Sequence, residues 1–222
     1  MSLVFGAATS DRVDHGTLGA ATPTSVSGLV WFYLTTFTSS RGLFVKRSPG
    51  LTFQLRNTSD VRIVWDRATT AAIFLSNNAG LTTGKWWCLM MTYNQTGDVG
   101  KIYVGDLATA LAEVTYGQQD AGSGAYQDLA TGSLLVGNLA NLTNALQGRI
   151  AHASYVENRV LTLAEGRAWQ WAPRKLWAEQ KVVAPYGYGT GTQPDYSGNA
   201  YNGTVTGATQ GNAIPLGPVW GA

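Results

Sequence analysis

Several positions carry the residue types that a sugar-binding surface needs. A pyranose presents an apolar face and a rim of hydroxyl groups, so proteins hold it with an aromatic ring beside planar hydrogen-bonding side chains. Both kinds of side chain occur at positions predicted to lie on the outward faces of short strands. These predicted ligand-binding residues are Trp65, Tyr93, Tyr103, Gln54, Arg56 and Arg62.

The acidic residues and histidines that hydrolysis or metal catalysis would need do not have the spacing typical of such sites. Glycoside hydrolysis needs two carboxylates that flank the scissile bond, but no glutamate has an acidic residue two or four positions away. The two histidines, His15 and His152, are far apart in the sequence, which is weak support for a catalytic triad or a metal site. We therefore predict that the chain is not an enzyme. The glutamates are Glu113, Glu157, Glu165 and Glu179.

The composition is that of a chain that folds into a packed domain. Of its 222 residues, 45% are hydrophobic and 13% are charged, which is enough apolar material for a sizeable core. Single sandwiches of this length are common, so one domain over residues 1–222 is predicted. The net charge of +2, without a run of Lys or Arg, indicates neither a nucleic acid nor an anionic membrane as partner.

The amino terminus and the hydropathy of the chain indicate where the protein is located. Residues 1–5 lack a basic region followed by a long apolar block, and nowhere do eighteen apolar residues run together. We expect a soluble chain without membrane insertion, which would leave a cell by lysis or an unusual route.

Cys88 is the only cysteine, so an internal disulfide is excluded and a buried thiol is predicted.

Short apolar runs separated by Gly, Asn, Ser and Asp predict an all-β protein. Strands 27–36 and 85–93 are apolar on both faces, so they belong in the middle of a sheet. Strand 52–56 alternates, with Phe53 and Leu55 inward and a polar face turned to water or ligand. The predicted strands are 3–6, 27–36, 42–46, 52–56, 62–66, 72–75, 85–93, 101–105, 111–116, 134–137, 149–157, 182–186 and 204–206.

One segment, residues 162–172, has the pattern of a helix. Thr162 at the N-cap and Glu165 three residues later form a capping box, and Pro173 ends the helix. Helical spacing predicts an apolar face made of Leu161, Ala164, Ala168 and Trp171.

The most distinctive motif occupies residues 194–209 and reads P-D-Y-S-G-N-A-Y-N-G-T-V-T-G-A-T. Asp195 and Ser197 can accept hydrogen bonds from nearby amides, while Gly198, Asn199 and Gly203 tolerate positive φ. The motif therefore predicts a tight reversal that runs into strand 204–206.

This motif resembles the D-x-S-G-N-x-x-N-G-T-x-x-G-A-T element of the concanavalin A-like, laminin-G-like jelly-roll domains. Residues 149–165 are similar to the strand-to-helix ending of those domains, residues 85–93 to their central W-x-x-v-x-x-t-y strand, and residues 3–14 to their F-x-G-x-x-D-x-V opening. The resemblance implies an antiparallel jelly-roll β-sandwich. In many relatives the S-G-N element precedes the opening strand, so its late position here implies a permutation or a different module boundary.

The resemblance also raises calcium binding and catalysis. Relatives often bind calcium through oxygen ligands in loops, and the resemblance brings together segments that contain Asp11, Asp14 and Asp195. These aspartates are the predicted calcium ligands, although turn formation explains Asp195 equally well. Laminarinase-type glycoside hydrolases share the fold, but their E-x-D-x-x-E strand is absent from this sequence.

Two classes of function stay open. The first is a non-catalytic binding or adhesion module with carbohydrate as its ligand. The second is a virion structural or decoration protein that contacts other virion or capsid proteins, as a homo-oligomer. Residues 169–177, W-Q-W-A-P-R-K-L-W, together with the late S-G-N element, resemble modules of phage and virus-like environmental sequences. That resemblance implies a virion or extracellular location without a signal peptide.

Overall fold

The computed structural model describes residues 1–6, 8, 10–18, 23–36, 40–46, 50–56, 59–127, 131–139, 141, 142, 144–173, 180–186, 191–212 and 214. These residues are mostly in antiparallel strands, as predicted. The helix among them is α1 (Leu163–Trp171), and no described helix is long and apolar enough to cross a membrane. The strands are β1 (Ser2–Phe5), β2 (Arg12–Thr17), β3 (Ser25–Leu34), β4 (Arg41–Lys46), β5 (Leu51–Leu55), β6 (Val61–Trp65), β7 (Ala72–Ser76), β8 (Trp86–Asn94), β9 (Val99–Asp106), β10 (Ala112–Glu113), β11 (Tyr116–Asp120), β12 (Ser133–Val136), β13 (Gly148–Glu157), β14 (Gln180–Pro185), β15 (Thr192–Gln193), β16 (Gly203–Thr206) and β17 (Thr209–Gly211).

The strands form two sheets that share one core. An eight-stranded sheet has the order β10-β9-β8-β3-β13-β1-β17, with β14 paired to β13 beside this path. A nine-stranded sheet has the order β11-β7-β6-β5-β4-β12-β2-β16-β15. Phe32 and Leu89 from the first sheet and Phe53 and Ile63 from the second belong to one buried cluster, which we call the intersheet core. The predicted β-sandwich is therefore confirmed.

The two strands that are apolar on both faces lie in the middle of the eight-stranded sheet, as predicted. Strands β3 and β8 pair with each other, and β13 and β9 flank them. One face of the pair supplies the intersheet core. The other face supplies a second cluster that includes Trp31, Met90, Trp169 from α1 and the fully buried Cys88, here called the helix-side cluster.

The helix has the predicted capping box but buries a different face. The hydroxyl of Thr162 accepts from the backbone N–H of Glu165, whose side chain accepts from the backbone N–H of Thr162. Helical spacing assigns Trp171 to the apolar face, but this residue is 43% exposed. The buried positions are Gly166, Trp169 and Gln170. Gly166 permits this packing, since a Cβ there would lie 2.5 Å from the sulfur of Met90.

The late S-G-N element pairs with the start of the chain. Strand β16 pairs with β2, and β17 pairs with β1. Gly198 has a positive φ, as predicted, with a value of 88°. In the same turn a positive φ is predicted for Asn199, but it occurs at Ala200, with a value of 60°. Gly203 is needed for close packing instead, because a Cβ there would lie 2.3 Å from Cγ1 of Val13. Residues 174–177, part of the phage-like segment, lie outside the described residues.

The sequence prediction omitted several polar strands. Strands β2 and β11 read R-V-D-H-G-T and Y-G-Q-Q-D, and neither shows an apolar run that would identify it. Strands β15 and β17 are short and equally polar. Conversely, the predicted strand 111–116 is not continuous: it contains only the two residues of β10 and Tyr116, with which β11 begins. Pairing with neighbouring strands stabilises these segments, and the local sequence does not record that pairing.

Candidate functional site

A groove of about 270 Å³ lies on the outer face of the nine-stranded sheet. Its floor consists of two cross-strand pairs from β5 and β6, Gln54 opposite Arg62 and Thr52 opposite Val64. Phe53 points into the intersheet core, so strand alternation turns its neighbours Thr52 and Gln54 to the outer face. The sequence prediction of an outward polar face on this strand is confirmed for these positions.

The wall of the groove is the segment that follows β12, from which Leu139 and Asn141 line it. Asn138 is buried and holds this segment in place. Its Nδ2 group donates to the carbonyl oxygen of Asp11 at 3.0 Å. Its Oδ1 accepts from the backbone N–H groups of Leu139 at 2.8 Å and Asn144 at 3.2 Å. These bonds fix the shape of the segment that forms the wall and attach the segment to the turn between β1 and β2.

Gln54 and Arg62 form a coupled pair on the groove floor. Nε and Nη2 of Arg62 donate to the amide oxygen of Gln54, in the amide orientation that gives both groups a partner. Gln54 is 3% exposed, whereas Arg62 is partly exposed. Burial lowers the pKa of Arg62, and the charge of Arg56 just beyond β5 lowers it further. A guanidinium stays protonated at neutral pH even so.

The three aromatic residues predicted to bind ligand are buried elsewhere, which corrects the prediction that they face outward. Trp65 and Tyr93 are both 0% exposed and pack in the intersheet core with ring centroids 4.8 Å apart. Trp65 follows the inward-facing Ile63 by two residues, so alternation turns it inward as well. Tyr103 is 5% exposed in the helix-side cluster. None of the described residues that line the groove is aromatic.

Tyr93 belongs to a polar cluster that closes one end of the sandwich. Its hydroxyl donates to Oδ1 of Asp98 at 2.5 Å, and the hydroxyl of Tyr126 donates to the same oxygen. Nη1 of Arg67 donates to Oδ2 of Asp98 at 2.6 Å, and the guanidinium lies 4.4 Å from the centroid of the Tyr126 ring. Burial raises the pKa of Asp98, but these three donors lower it by more. The cluster is structural, and no sequence pattern links Arg67 to Asp98.

A larger cleft of about 350 Å³ contains two carboxylates, Asp106 and Glu113. Each is paired with a lysine, Asp106 with Lys85 at 2.8 Å and Glu113 with Lys101 at 3.2 Å. Burial raises the pKa of Asp106, but Lys85 and two backbone N–H groups offset this and hold it at about 2. The general acid of a glycoside hydrolase needs a raised pKa, so Asp106 is unsuited to that role.

The tryptophan of this larger cleft is not available for stacking on a sugar. Trp87 is 6% exposed, and Nζ of Lys85 lies 3.9 Å from the centroid of its ring. A pyranose would have to displace this lysine, which also carries the ion pair to Asp106. The groove on the nine-stranded sheet is therefore the better candidate site.

The three predicted calcium ligands accept hydrogen bonds from nearby protein groups. Asp11 accepts from the backbone N–H of Gly6 in the turn before β2 at 2.7 Å, and Asp14 accepts from the backbone N–H of Gly16 within β2 at 2.8 Å. In the described part of the chain, no group of three or more His, Cys, Asp or Glu residues could hold a metal. Calcium binding by these residues stays a prediction. Asp195 accepts from the backbone N–H groups of Val183, Ser197 and Tyr201 and from the hydroxyl of Ser197.

Comparison with known proteins identifies the fold. No family model matches the chain, and no curated protein matches its sequence. A candidate carbohydrate binding protein from Bacteroides ovatus matches with a TM-score of 0.64 and 12% identity, over 97% of this chain and 61% of that chain. Domains LG4-5 of the mouse laminin alpha1 chain match with a TM-score of 0.53 and 13% identity, over 69% of this chain and 41% of that chain. The chain thus spans less than two thirds of the length of either protein, and it has the concanavalin A-like, laminin-G-like jelly-roll fold.

Proposed function

We propose that the chain is a non-catalytic carbohydrate-binding module and that its ligand lies in the groove on the nine-stranded sheet. One observation carries this proposal: the groove combines fixed planar hydrogen-bonding groups with apolar surface, as sugar sites do. Two residues of the ligand-binding set predicted from sequence meet there. The six lining residues are Thr52, Gln54, Arg62, Val64, Leu139 and Asn141.

The fold supports the same function. The Bacteroides ovatus protein that matches 97% of this chain is named for carbohydrate binding, and its similarity extends over both sheets of the sandwich. At 12% identity the match concerns the fold, so the residues of the groove have to carry the ligand argument.

The groove would hold a sugar mainly by hydrogen bonds. Without an aromatic platform, apolar contact comes from Val64 and Leu139, which offer less flat surface than an indole ring. We therefore expect binding that depends strongly on the arrangement of ligand oxygens and less on stacking.

A pair of matched substitutions tests the proposal. Val64→Trp fills the groove, while Val104→Trp fills the larger cleft, which Val104 lines. Both variants and the wild type would be applied to a glycan array, with circular dichroism and thermal melting as checks on folding. Binding that is lost in Val64→Trp and kept in Val104→Trp supports the proposal. Binding that is lost only in Val104→Trp, or no binding by the wild type, contradicts it.

Protein–protein contact is the second candidate, as expected of a virion structural or decoration protein. Trp171 at the end of α1 is 43% exposed, and exposed aromatic side chains are typical of protein interfaces. Light scattering tests this candidate directly. An oligomer that Trp171→Ser dissociates and Tyr196→Ser leaves intact would support it, whereas a monomer at high concentration would contradict it. Tyr196, at 44% exposed, is the matched control.

A further inference from the structure

We infer that the ligand of the groove is an acidic saccharide, whose carboxylate or sulfate group is bound by the guanidinium groups of Arg62 and Arg56. This inference rests on the proposed function and narrows it to one class of sugar. Three features of the described residues lead to it: the charges at the groove, the hydrogen-bonding groups that remain free, and the positions of the nearest acids.

Arg62 lines the groove, and a second arginine, Arg56, lies beside it outside the set of lining residues. Arg62 faces Gln54 across the strand pair, and Arg56 lies two residues beyond Gln54 on the same side of the strand. Diagonal neighbours of this kind lie about 7 Å apart, and after burial the charge of Arg56 is the second cause that lowers the pKa of Arg62. Among the described residues, neither arginine takes part in an ion pair. A bound anion would relieve this repulsion.

The fixed groups on the floor are hydrogen-bond donors. The amide oxygen of Gln54 is already used by Nε and Nη2 of Arg62, so the amide has only its NH2 group left to offer. Nη1 of Arg62 bonds to no described residue, and a guanidinium has donors only. A neutral sugar hydroxyl bound to these donors would have to place its own proton on another acceptor, such as the Thr52 hydroxyl or water. An anionic oxygen accepts from these donors without that requirement and forms the stronger, charge-assisted bonds.

In the part of the chain that the structure describes, no carboxylate forms an ion pair with these donors. On the same face, Asp120 on β11 lies opposite Ile73 of β7, which in turn lies opposite Val64. Asp120 is therefore two strands from Arg62, or about 10 Å at the usual strand spacing. Asp14 on β2 is three strands from β5. Asp60 is the nearest acid, because it lies opposite Arg56, whose backbone N–H donates to its carbonyl oxygen at 2.8 Å. Its carboxylate accepts from the backbone N–H of Asn78 at 2.8 Å and forms no ion pair with either arginine.

The test uses an array of neutral, uronic-acid, sialylated and sulfated oligosaccharides, followed by calorimetry with the strongest acidic binder. Its carboxyl-reduced or desulfated form serves as the neutral counterpart. We expect the acidic form to bind at least about tenfold more tightly and its affinity to fall as salt is raised. If the protein binds carboxylated glycans more tightly than sulfated ones, or the reverse, the comparison identifies which acidic group of the ligand is bound.

Substitutions assign the preference to the groove. Arg62→Gln should weaken binding of the acidic form about tenfold and should change binding of the neutral form only slightly. Arg56→Gln should also weaken binding of the acidic form. Arg62→Lys keeps the charge but not the planar fork, so it should be intermediate. The control is Arg149→Gln, which makes the same change in β13 of the other sheet, where Arg149 lies 5.3 Å from the ring centroid of Tyr33.

The outcomes separate the two claims. Equal binding of acidic and neutral glycans that is lost in Val64→Trp keeps the proposed function and overturns this inference. Acidic binding that Arg62→Gln and Arg56→Gln leave unchanged also overturns the inference. Failure to bind any glycan overturns the proposed function and the inference together.

Discussion

The backbone carbonyl of Asn138 lies against Gly42, so closely that a Cβ on Gly42 would come within 1.9 Å of its oxygen. The segment that Asn138 holds is the wall of the candidate groove. Because Gly42 lies on β4, beside the floor strand β5, the absence of its side chain lets the wall rest directly on the sheet. The shape of the groove thus depends on a residue that does not line it.

Gly42→Ala should therefore both destabilise the protein and weaken ligand binding. The added methyl group meets backbone, which cannot rotate away, so the wall has to move. We expect a loss of about 1–3 kcal/mol in the free energy of unfolding, measured by urea denaturation. Gly191→Ala is the control, because its Cβ would meet nothing within 4 Å, and it should change stability by no more than about 0.5 kcal/mol. Equal stability of the two variants would contradict this account of the wall.

Asp98→Asn should lower the melting temperature. The substitution keeps a side chain that tolerates the φ of 50° at this position, but it removes the charge that Arg67 and the hydroxyls of Tyr93 and Tyr126 surround. Thermal melting at neutral pH measures the effect. The control is Asp120→Asn at the exposed edge strand β11, which should melt close to the wild type. If both variants melt at the wild-type temperature, the cluster does not stabilise the end of the sandwich.

His15 should make stability depend on pH. Nδ1 donates to the carbonyl oxygen of Tyr201 at 2.6 Å, because a carbonyl oxygen only accepts, and Nε2 lies 2.8 Å from the hydroxyl of Tyr186. In the neutral ring, Nε2 accepts from that hydroxyl. Burial lowers the pKa of His15, although the bond to Tyr201 and the charges of Asp195 and Asp14 oppose this.

The sign of the pH effect follows from that lowered pKa. Below the ordinary value of 6.5, the unfolded chain binds a proton that the folded chain excludes, so stability falls as pH decreases. Urea denaturation between pH 8 and pH 5 measures the slope, and His15→Gln should flatten it. A slope that is identical in wild type and variant would assign the pH dependence to other groups.

If the protein donors around Asp195 suffice without calcium, a chelator will leave the melting temperature unchanged. The carboxylate of Asp195 is surrounded by protein donors, and the described residues contain no cluster of ligands for a metal. Melting curves with EDTA, with added calcium and with added magnesium test this expectation. A fall with EDTA that calcium restores and magnesium does not would instead support the predicted calcium site.

Much of the local structure follows from the sequence by itself. Period-two alternation places Gln54 and Arg62 on the outward face and Phe53 and Ile63 in the core, because a strand turns successive side chains to opposite faces. The capping box at Thr162 sets the start of the helix through bonds between near neighbours. These features depend on residues that are close in the chain, so a single sequence records them.

The tertiary structure decided the rest. Which face α1 buries depends on the space that Gly166 leaves for Met90, and the groove exists because a segment after β12 crosses a glycine of β4. Trp65 and Tyr93 have residue types that suit a sugar, yet the opposite sheet covers them. Each of these outcomes depends on contact between residues distant in sequence, and the free energy of such contacts is not contained in the local pattern.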